Sequence, residues 1–321
     1  MTTLQIILLA VGIGVGLLVL SAGLLYWFRA ELLFRMAIRI SGGMVGLRWR
    51  TRGGWPLFEG GTAEQPGDPP LVLIHGFGVD KQTMFDLARI LVRRHRLIAP
   101  DLPGFGEHSI VDPENVNIDT YIDAIDRLLD QEGFGRVVLV GSSMGGGISS
   151  TYAAHRPQRV AGLCLIGPAG LEPPYNTEIY EMGKRDENPL RIDSIESFNR
   201  IVDLNFSNPP WLPHRLRVAL MRRAAAVAED HETILRGMSD TLLDGVRPLL
   251  GHIRCPVAVV WGGEDRIIHP SVAPHWEHGL VDVEMNLIPG VGHSTMMERP
   301  ADVAEIIERL LQRIRSKVSR S

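Results

Sequence analysis

Cysteine is nearly absent from this chain of 321 residues; there are two, Cys164 and Cys255. Neither belongs to a Cys-x-x-Cys pair or a Cys/His cluster, so the sequence offers no zinc centre and no disulfide framework. Both thiols adjoin apolar runs and read as small buried hydrophobes, a usage that suits a reducing compartment. A basic excess is absent too. The net charge of −4 gives no reason to expect nucleic acid as a partner. There is no internal repeat and no low-complexity tract, and Gly60 to Pro70 is a polar, Gly/Pro-rich loop.

The most telling absence is local. From Leu4 to Trp27 the chain runs 24 residues without a charge. As a helix this stretch would span about 36 Å, more than the ~30 Å hydrocarbon core of a bilayer requires. A cleaved signal would carry a basic n-region, and Met1-Thr2-Thr3 has no charged side chain. A buried core helix of this length would show a polar face. The expectation is a membrane anchor over residues 1–28. Residues 29–47 follow as a basic, amphipathic juxtamembrane segment, able to rest among headgroups or to pack on the folded domain. On the far side of the apolar stretch, Arg29, Arg35 and Arg39 in this segment and Arg48, Arg50 and Arg52 just beyond it stand against one acid, Glu31. By the positive-inside rule the N-terminus lies outside and the rest of the chain is cytoplasmic.

Beyond Arg48, strands and helices alternate, which predicts an α/β fold with a parallel sheet covered on both faces. Strands are expected at Leu71 to Ile74, Arg96 to Pro100, Arg136 to Val140, Val160 to Ile166, Val257 to Trp261 and Val283 to Ile288. Helices are expected at Met84 to Val92 (apolar face Leu87, Ile90, Leu91), Asp119 to Leu129 and from Pro300 onward. The alternation fails between Leu171 and His252. Roughly eighty residues with two helix-like runs, Pro213 to Glu229 and Glu232 to Leu250, are too many for a connecting loop. They read as a helical cap, 172–251, inserted into a core formed by 48–171 and 252–317. Within the cap, Pro209 to Arg223 mixes Trp211, Leu212, Leu216, Val218, Leu220 and Met221 with His214, Arg215, Arg217, Arg222 and Arg223. Such a set can cover an acyl pocket and touch anionic headgroups, or simply pack the cap down.

The chemistry concentrates at Gly141-Ser142-Ser143-Met144-Gly145, a Gly-x-Ser-x-Gly run directly after an apolar strand. It has the form of a strand-to-helix turn that strains and exposes its central serine. A serine hydroxyl needs a base. His293, in a Gly-rich loop just past a strand, shares the C-terminal sheet edge with Ser143; His155, His231 and His278 fall in helical or cap contexts, as surface or structural residues, and His214 in the cap reads as exposed. Asp265, after the strand Val257 to Trp261, is the acid expected to orient His293, with Glu264 and Asp282 as weaker substitutes. An oxyanion needs donors, and the N–H groups of Met144 and Phe77 are placed to supply them. Gly76 permits close backbone approach there, and His75 is expected to orient the loop rather than to move protons.

Ser143, Asp265 and His293 in that order, His-Gly-Phe-Gly upstream, and a cap after the sixth strand together resemble the α/β-hydrolase superfamily. The resemblance runs from about residue 50 to 317. Further runs are similar to its membrane-bound monoacylglycerol lipases: Gly-Ser-Ser-Met-Gly-Gly, Tyr152-Ala153-Ala154, Leu163-Cys164-Leu165, Pro168 to Leu171, Val260-Trp261-Gly262, and Gly292-His293-Ser294 with Met297-Glu298-Arg299-Pro300. The resemblance implies a mostly parallel eight-stranded sheet and a membrane-anchored serine hydrolase of carboxylic esters. Its substrates would be monoacylglycerols or related lipid esters, with no metal or organic cofactor. The cap shows little of the resemblance. Two other classes share these features: hydrolases of carbon–carbon bonds in aromatic ring-fission products, which are typically soluble, and tethered binding proteins that kept the fold without activity. Nothing in the residues fixes an oligomeric state.

Overall fold

A computed structural model describes residues 2–65, 67–108, 112–174, 178–185 and 188–318. Position 66 of the predicted loop and positions 175–177 and 186–187 of the predicted cap lie outside that set. A long helix, α1 (Thr3–Met44), leads into a hairpin of β1 (Arg48–Arg52) and β2 (Trp55–Gly60). The alternating core follows as β3 (Leu71–Ile74), α2 (Phe85–Leu91), β4 (Leu97–Pro100), α3 (Ile118–Gln131), β5 (Val137–Ser142), α4 (Met144–His155) and β6 (Val160–Ile166). Four cap helices come next, α5 (Glu178–Lys184), α6 (Ile195–Asn205), α7 (His214–Ala225) and α8 (Ala228–Asp240). The core resumes with β7 (Val257–Gly262), α9 (Ala273–Gly279), β8 (Val283–Ile288), α10 (Thr295–Glu298) and α11 (Pro300–Val318).

The eight strands form one sheet in the order β1-β2-β4-β3-β5-β6-β7-β8. The β1–β2 and β2–β4 pairs are antiparallel and all others parallel. Parallel strands need covering on both faces, and the period of two does this. In β5, Val137 and Leu139 enter one core cluster while Val138 and Val140 enter the other. Each fully buried aliphatic side chain contributes about 1.5–3 kcal/mol. Cys255 and Cys164 divide between the same two clusters as free thiols. Burial pushes both thiols up to about 12, so they pack rather than react.

Several sequence expectations needed correction. The hairpin β1–β2 was not singled out, because Arg-Trp-Arg-Thr-Arg holds a single apolar residue and is largely exposed. A signal was present in Gly53-Gly54, whose φ values of 54° and 87° make the two-residue turn between Arg52 and Trp55. In α2, Ile90 faces outward at 37% exposure while Leu87 and Leu91 are buried. The run Pro213 to Glu229 breaks after Ala225, and α8 starts earlier than expected, at Ala228. Its C-terminal continuation loosens into a π-turn at Thr241–Gly245 and a 3₁₀ turn at Arg247–His252. Two cap helices, α5 and α6, were missed.

The N-terminal apolar stretch and the basic segment after it form one helix, kinked at Arg29 (φ −141°, ψ 43°). Thr3–Ser21 has a mean hydropathy of 2.5 with none of it buried, long and apolar enough to cross a membrane. The later part packs on the folded domain. Ala30 is buried, Ile38 joins one core cluster, and α1 lies against α7. Arg35 and Arg39 both pair with Glu107, Arg50 with Glu59 and Arg52 with Glu132. Four of the six juxtamembrane arginines therefore serve the fold.

Candidate active site

The turn between β5 and α4 forces Ser143 to φ 55°, ψ −120°, and among the described residues it is the only non-glycine with positive φ. Such a conformation costs about 1–3 kcal/mol and persists only when its surroundings over-determine it. They do. The Ser143 N–H donates to Ile166 O at 2.9 Å, and its carbonyl accepts from Gly146, Gly147 and Ala169. A Cβ on Gly145 would lie 2.5 Å from the Ile74 and His75 carbonyl oxygens, and one on Gly141 would lie 2.4 Å from Gly145 O. Both positions therefore require glycine.

His293 follows β8 on a loop and Asp265 follows β7, and the structure brings the two together. His293 Nδ1 and Asp265 Oδ2 are 2.7 Å apart. Asp265 Oδ1 accepts the Ile267 and Ile268 N–H groups, each at 2.9 Å, so the buried carboxylate is fully engaged. An acceptor on Nδ1 fixes the proton there and leaves Nε2 as the basic nitrogen. Ser143 and His293 line the same cavity. Glu264 is exposed and Asp282 is occupied by Arg313 and Lys317, so neither competes with Asp265.

Phe77 and Met144 line a second cavity with Ser143. Among the described residues neither N–H donates to another backbone carbonyl outside the regular elements or to a side chain. Met144 opens α4, whose N-terminal dipole favours an anion. Gly76 lies against Ser143, since a Cβ there would be 3.2 Å from Ser143 Cβ. His75 is fully buried; its Nδ1 donates to Gly76 O at 2.8 Å and its Nε2 accepts the Leu102 N–H at 3.0 Å. Both nitrogens are spent on the backbone, and burial holds its pKa below the usual histidine value. It orients the loop.

Three contributors escaped the sequence. Lys81, buried just after this loop, places Nζ 2.5 Å from Asp101 Oδ2 and donates its N–H to Oδ1, a buried pair costly to break. Glu298 accepts the N–H groups of Gly292 (2.7 Å), Asn208 (2.9 Å) and Ser207 (3.3 Å), tying the His293 loop to the cap. His231 on α8 is not a mere surface residue. Its ring packs 5.7 Å from Phe77 and 4.8 Å from Phe105, and it lines the cavity of Ser143 and His293. His155, His278 and His214 are exposed.

Two cavities thus diverge from Ser143. The first encloses about 1070 Å³, open mouth included, and is walled mainly by aliphatic residues such as Leu171, Leu235, Leu242, Leu243 and Ile268. The second, about 820 Å³, mixes Asn188, Arg191, Asn205 and His231 with apolar groups and contains His293. A strained serine, a histidine oriented by a carboxylate and two amides around an apolar cleft are groups whose chemistry suits acyl transfer.

A sequence model described as the alpha/beta hydrolase family matches residues 71–306. The chain is 31% identical over 237 residues to Lipase 1 of Psychrobacter immobilis, covering 74% of each. It is 24% identical over 269 residues to monoacylglycerol lipase ABHD6 of Bos taurus, covering 78% of each. The crystal structure of a membrane phospholipase A, a bacterial virulence factor, superposes with a TM-score of 0.81 at 32% identity. That match covers 97% of this chain and 99% of the other.

Proposed function

The chain belongs to the alpha/beta hydrolase family, and from that premise we propose a membrane-anchored lipase for single-chain glycerolipids, monoacylglycerols foremost. That it is a carboxylic ester hydrolase follows from the family and its lipase relatives. The triad and the substrate are the proposal. Ser143 Oγ attacks the ester carbonyl carbon as His293 Nε2 takes its proton, and Asp265 stabilises the imidazolium. The Phe77 and Met144 N–H groups hold the tetrahedral oxyanion. Its collapse breaks the carbon–oxygen bond, with His293 returning the proton to the leaving alcohol. Water, deprotonated by His293, then cleaves the acyl-enzyme and releases the fatty acid.

The observation that carries the substrate reading is the unequal pair of cavities. The larger one, walled mainly by aliphatic side chains, suits an acyl chain. The mixed one holds His293, so the leaving alcohol belongs there. One apolar cavity argues for one chain. A second reading, hydrolysis of phospholipids, is favoured by the end-to-end similarity to a membrane phospholipase A. Competing hydrolysis of a monoacylglycerol, a lysophospholipid and a diacyl phospholipid by the full chain separates them; diacyl lipid turned over fastest would overturn the single-chain reading. A fluorophosphonate should label the wild type and leave Ser143→Ala unlabelled. Labelling that survives would remove Ser143 from the mechanism.

The apolar helix supports anchoring, which raises the local concentration of enzyme and bilayer-dissolved substrate. The arginine bias around it supports a cytoplasmic catalytic domain. A cytoplasm-dependent reporter fused after Ser321 should be active, and an inactive one would reverse the orientation.

A further inference from the structure

We propose that the groove between the anchor helix and cap helix α7 binds the headgroup of an anionic phospholipid from the bilayer that α1 spans. The inference rests on that span and not on the reaction at Ser143. The groove holds about 620 Å³, open side included, and is lined by Trp27, Ala30, His214, Arg215, Val218, Ala219 and Arg222. No acid lines it. Trp27 lies six residues past the apolar span Thr3–Ser21, about 9 Å along a helix, which is headgroup depth. A half-exposed tryptophan there is a typical interfacial anchor.

The backbone leaves helical angles at Arg29, close after Trp27, and the Trp27 carbonyl accepts Arg215 Nη1 at 3.0 Å. The same guanidinium stacks on the Trp27 ring, 3.0 Å from its centroid. This holds Arg215 at the mouth of the groove with donors to spare. Arg222, about two helical turns further, is exposed and has no ion-pair partner among the described residues. Trp211, in the loop just before α7, is 85% exposed and adds an apolar surface beside it.

The remaining arginines of α7 are excluded by their partners. Arg217 donates to Asn199, and Arg223 pairs with Glu31 of α1 and with Asp80 beside the oxyanion loop. The four cationic side chains of α7 divide into two that hold the cap and two that face the groove. A phosphate accepts the forked donors of arginine well, and the cationic groove at this depth selects an anionic over a zwitterionic headgroup.

The test uses the full chain in mild detergent and diether lipids, which no esterase cleaves. Native mass spectrometry should show diether phosphatidylglycerol retained about tenfold better than diether phosphatidylcholine. Arg215→Gln with Arg222→Gln should erase that preference, while Arg217→Gln should keep it. Arg222→Gln alone, which breaks no internal contact, should lose a measurable part, guarding against misfolding of the double variant. Equal retention of the two lipids by wild type would overturn the proposal, as would a preference that survives the double variant. So would displacement of bound lipid by millimolar inorganic phosphate, because the site would then read free anion rather than bilayer lipid. None of these outcomes touches the hydrolytic reading, since no ester is cleaved.

Discussion

The elbow and the cap face each other across one cleft and are held by opposite means. Around Ser143 the constraints are backbone: one donated and three accepted main-chain bonds, glycines with no room for a Cβ, and a helix buried from Met144 through Ala153. In the cap they are side chains reaching distant partners. Arg223 reaches Glu31 and Asp80, Arg191 reaches Glu229, and Asp244 takes the Glu172 N–H. Phe198 is the only buried residue of α6, and Leu216 of α7. Backbone constraints can hold a reacting group within the fraction of an ångström that catalysis needs. Partly exposed ion pairs contribute about 0–1 kcal/mol each, so an element hung on them opens at little cost. The difference is what the proposed reaction would need: a fixed wall at Ser143 and a wall that can open opposite it.

The comparison is broken most severely on the elbow side. Asp265 accepts two amides on Oδ1 and His293 on Oδ2. Asparagine has one acceptor oxygen, which the two amides would claim, turning its NH₂ toward His293. The imidazole must then accept at Nδ1 and carry its proton on Nε2, where it cannot act as a base. Asp265→Asn should lower kcat on a short soluble ester by about 10⁴-fold with the melting temperature nearly unchanged. A loss under a hundredfold would mean that Asp265 does not set the tautomer.

The same contrast explains what could be read in advance. The placement of Ser143, Asp265 and His293 at one edge was legible because parallel strands deliver the residues after their C-termini there, so strand order and a local Gly-rich turn suffice. The alternating core was legible because two-sided burial writes apolar runs. The cap was legible only as an insertion with two helix-like runs. Helix α5 is seven residues long, and the break after Ala225 carries no glycine or proline, whereas α6 did carry a signal in Ile195, Phe198, Ile201 and Val202 at helical spacing behind Ser194. Glu298 was quoted only as part of a matching run; its role depends on Ser207 and Asn208, some ninety positions away. His231 resembled any other helical histidine until Phe77 and Phe105 were seen beside it.

Glu298 is the joint between the two regimes, and altering it sharpens the comparison. Its two oxygens serve three amides, from the His293 loop and from the end of α6. Glutamine keeps one acceptor and turns a donor toward another donor, losing a charge-assisted bond of about 1.5–3 kcal/mol. If part of that positions His293, Glu298→Gln should reduce kcat about tenfold, the equivalent of ~1.4 kcal/mol. Steady-state kinetics on a short ester would register the change. A lowered melting temperature with unchanged kcat would leave Glu298 a purely structural tie.

The smallest effect belongs to the cap itself. Burial depresses His231, and its backbone bond with Gly104 and the nearby Asp230 only partly oppose this. Its folded pKa therefore lies below the ordinary histidine value near 6.5. Above that value both folded and unfolded chains leave the ring neutral, and its packing on Phe77 and Phe105 is fully available. As pH falls below it, the unfolded chain takes up a proton that the folded one refuses, so stability is lost progressively until the folded pKa is passed. His75 is depressed in the same direction and adds to the same acid slope. Replacing His231 by Phe preserves an aromatic ring against Phe77 and Phe105 while removing the titration. Thermal melts at pH 7.5 and pH 5.5 should show a smaller acid-induced drop in the variant, at roughly 2–4 °C per kcal/mol for a domain of this size. The drop should not vanish, because His75 remains. An unchanged acid slope would mean that the cap releases His231 to solvent before it titrates, and that the cap's hold on the Phe77 loop is weaker still than its ion pairs imply.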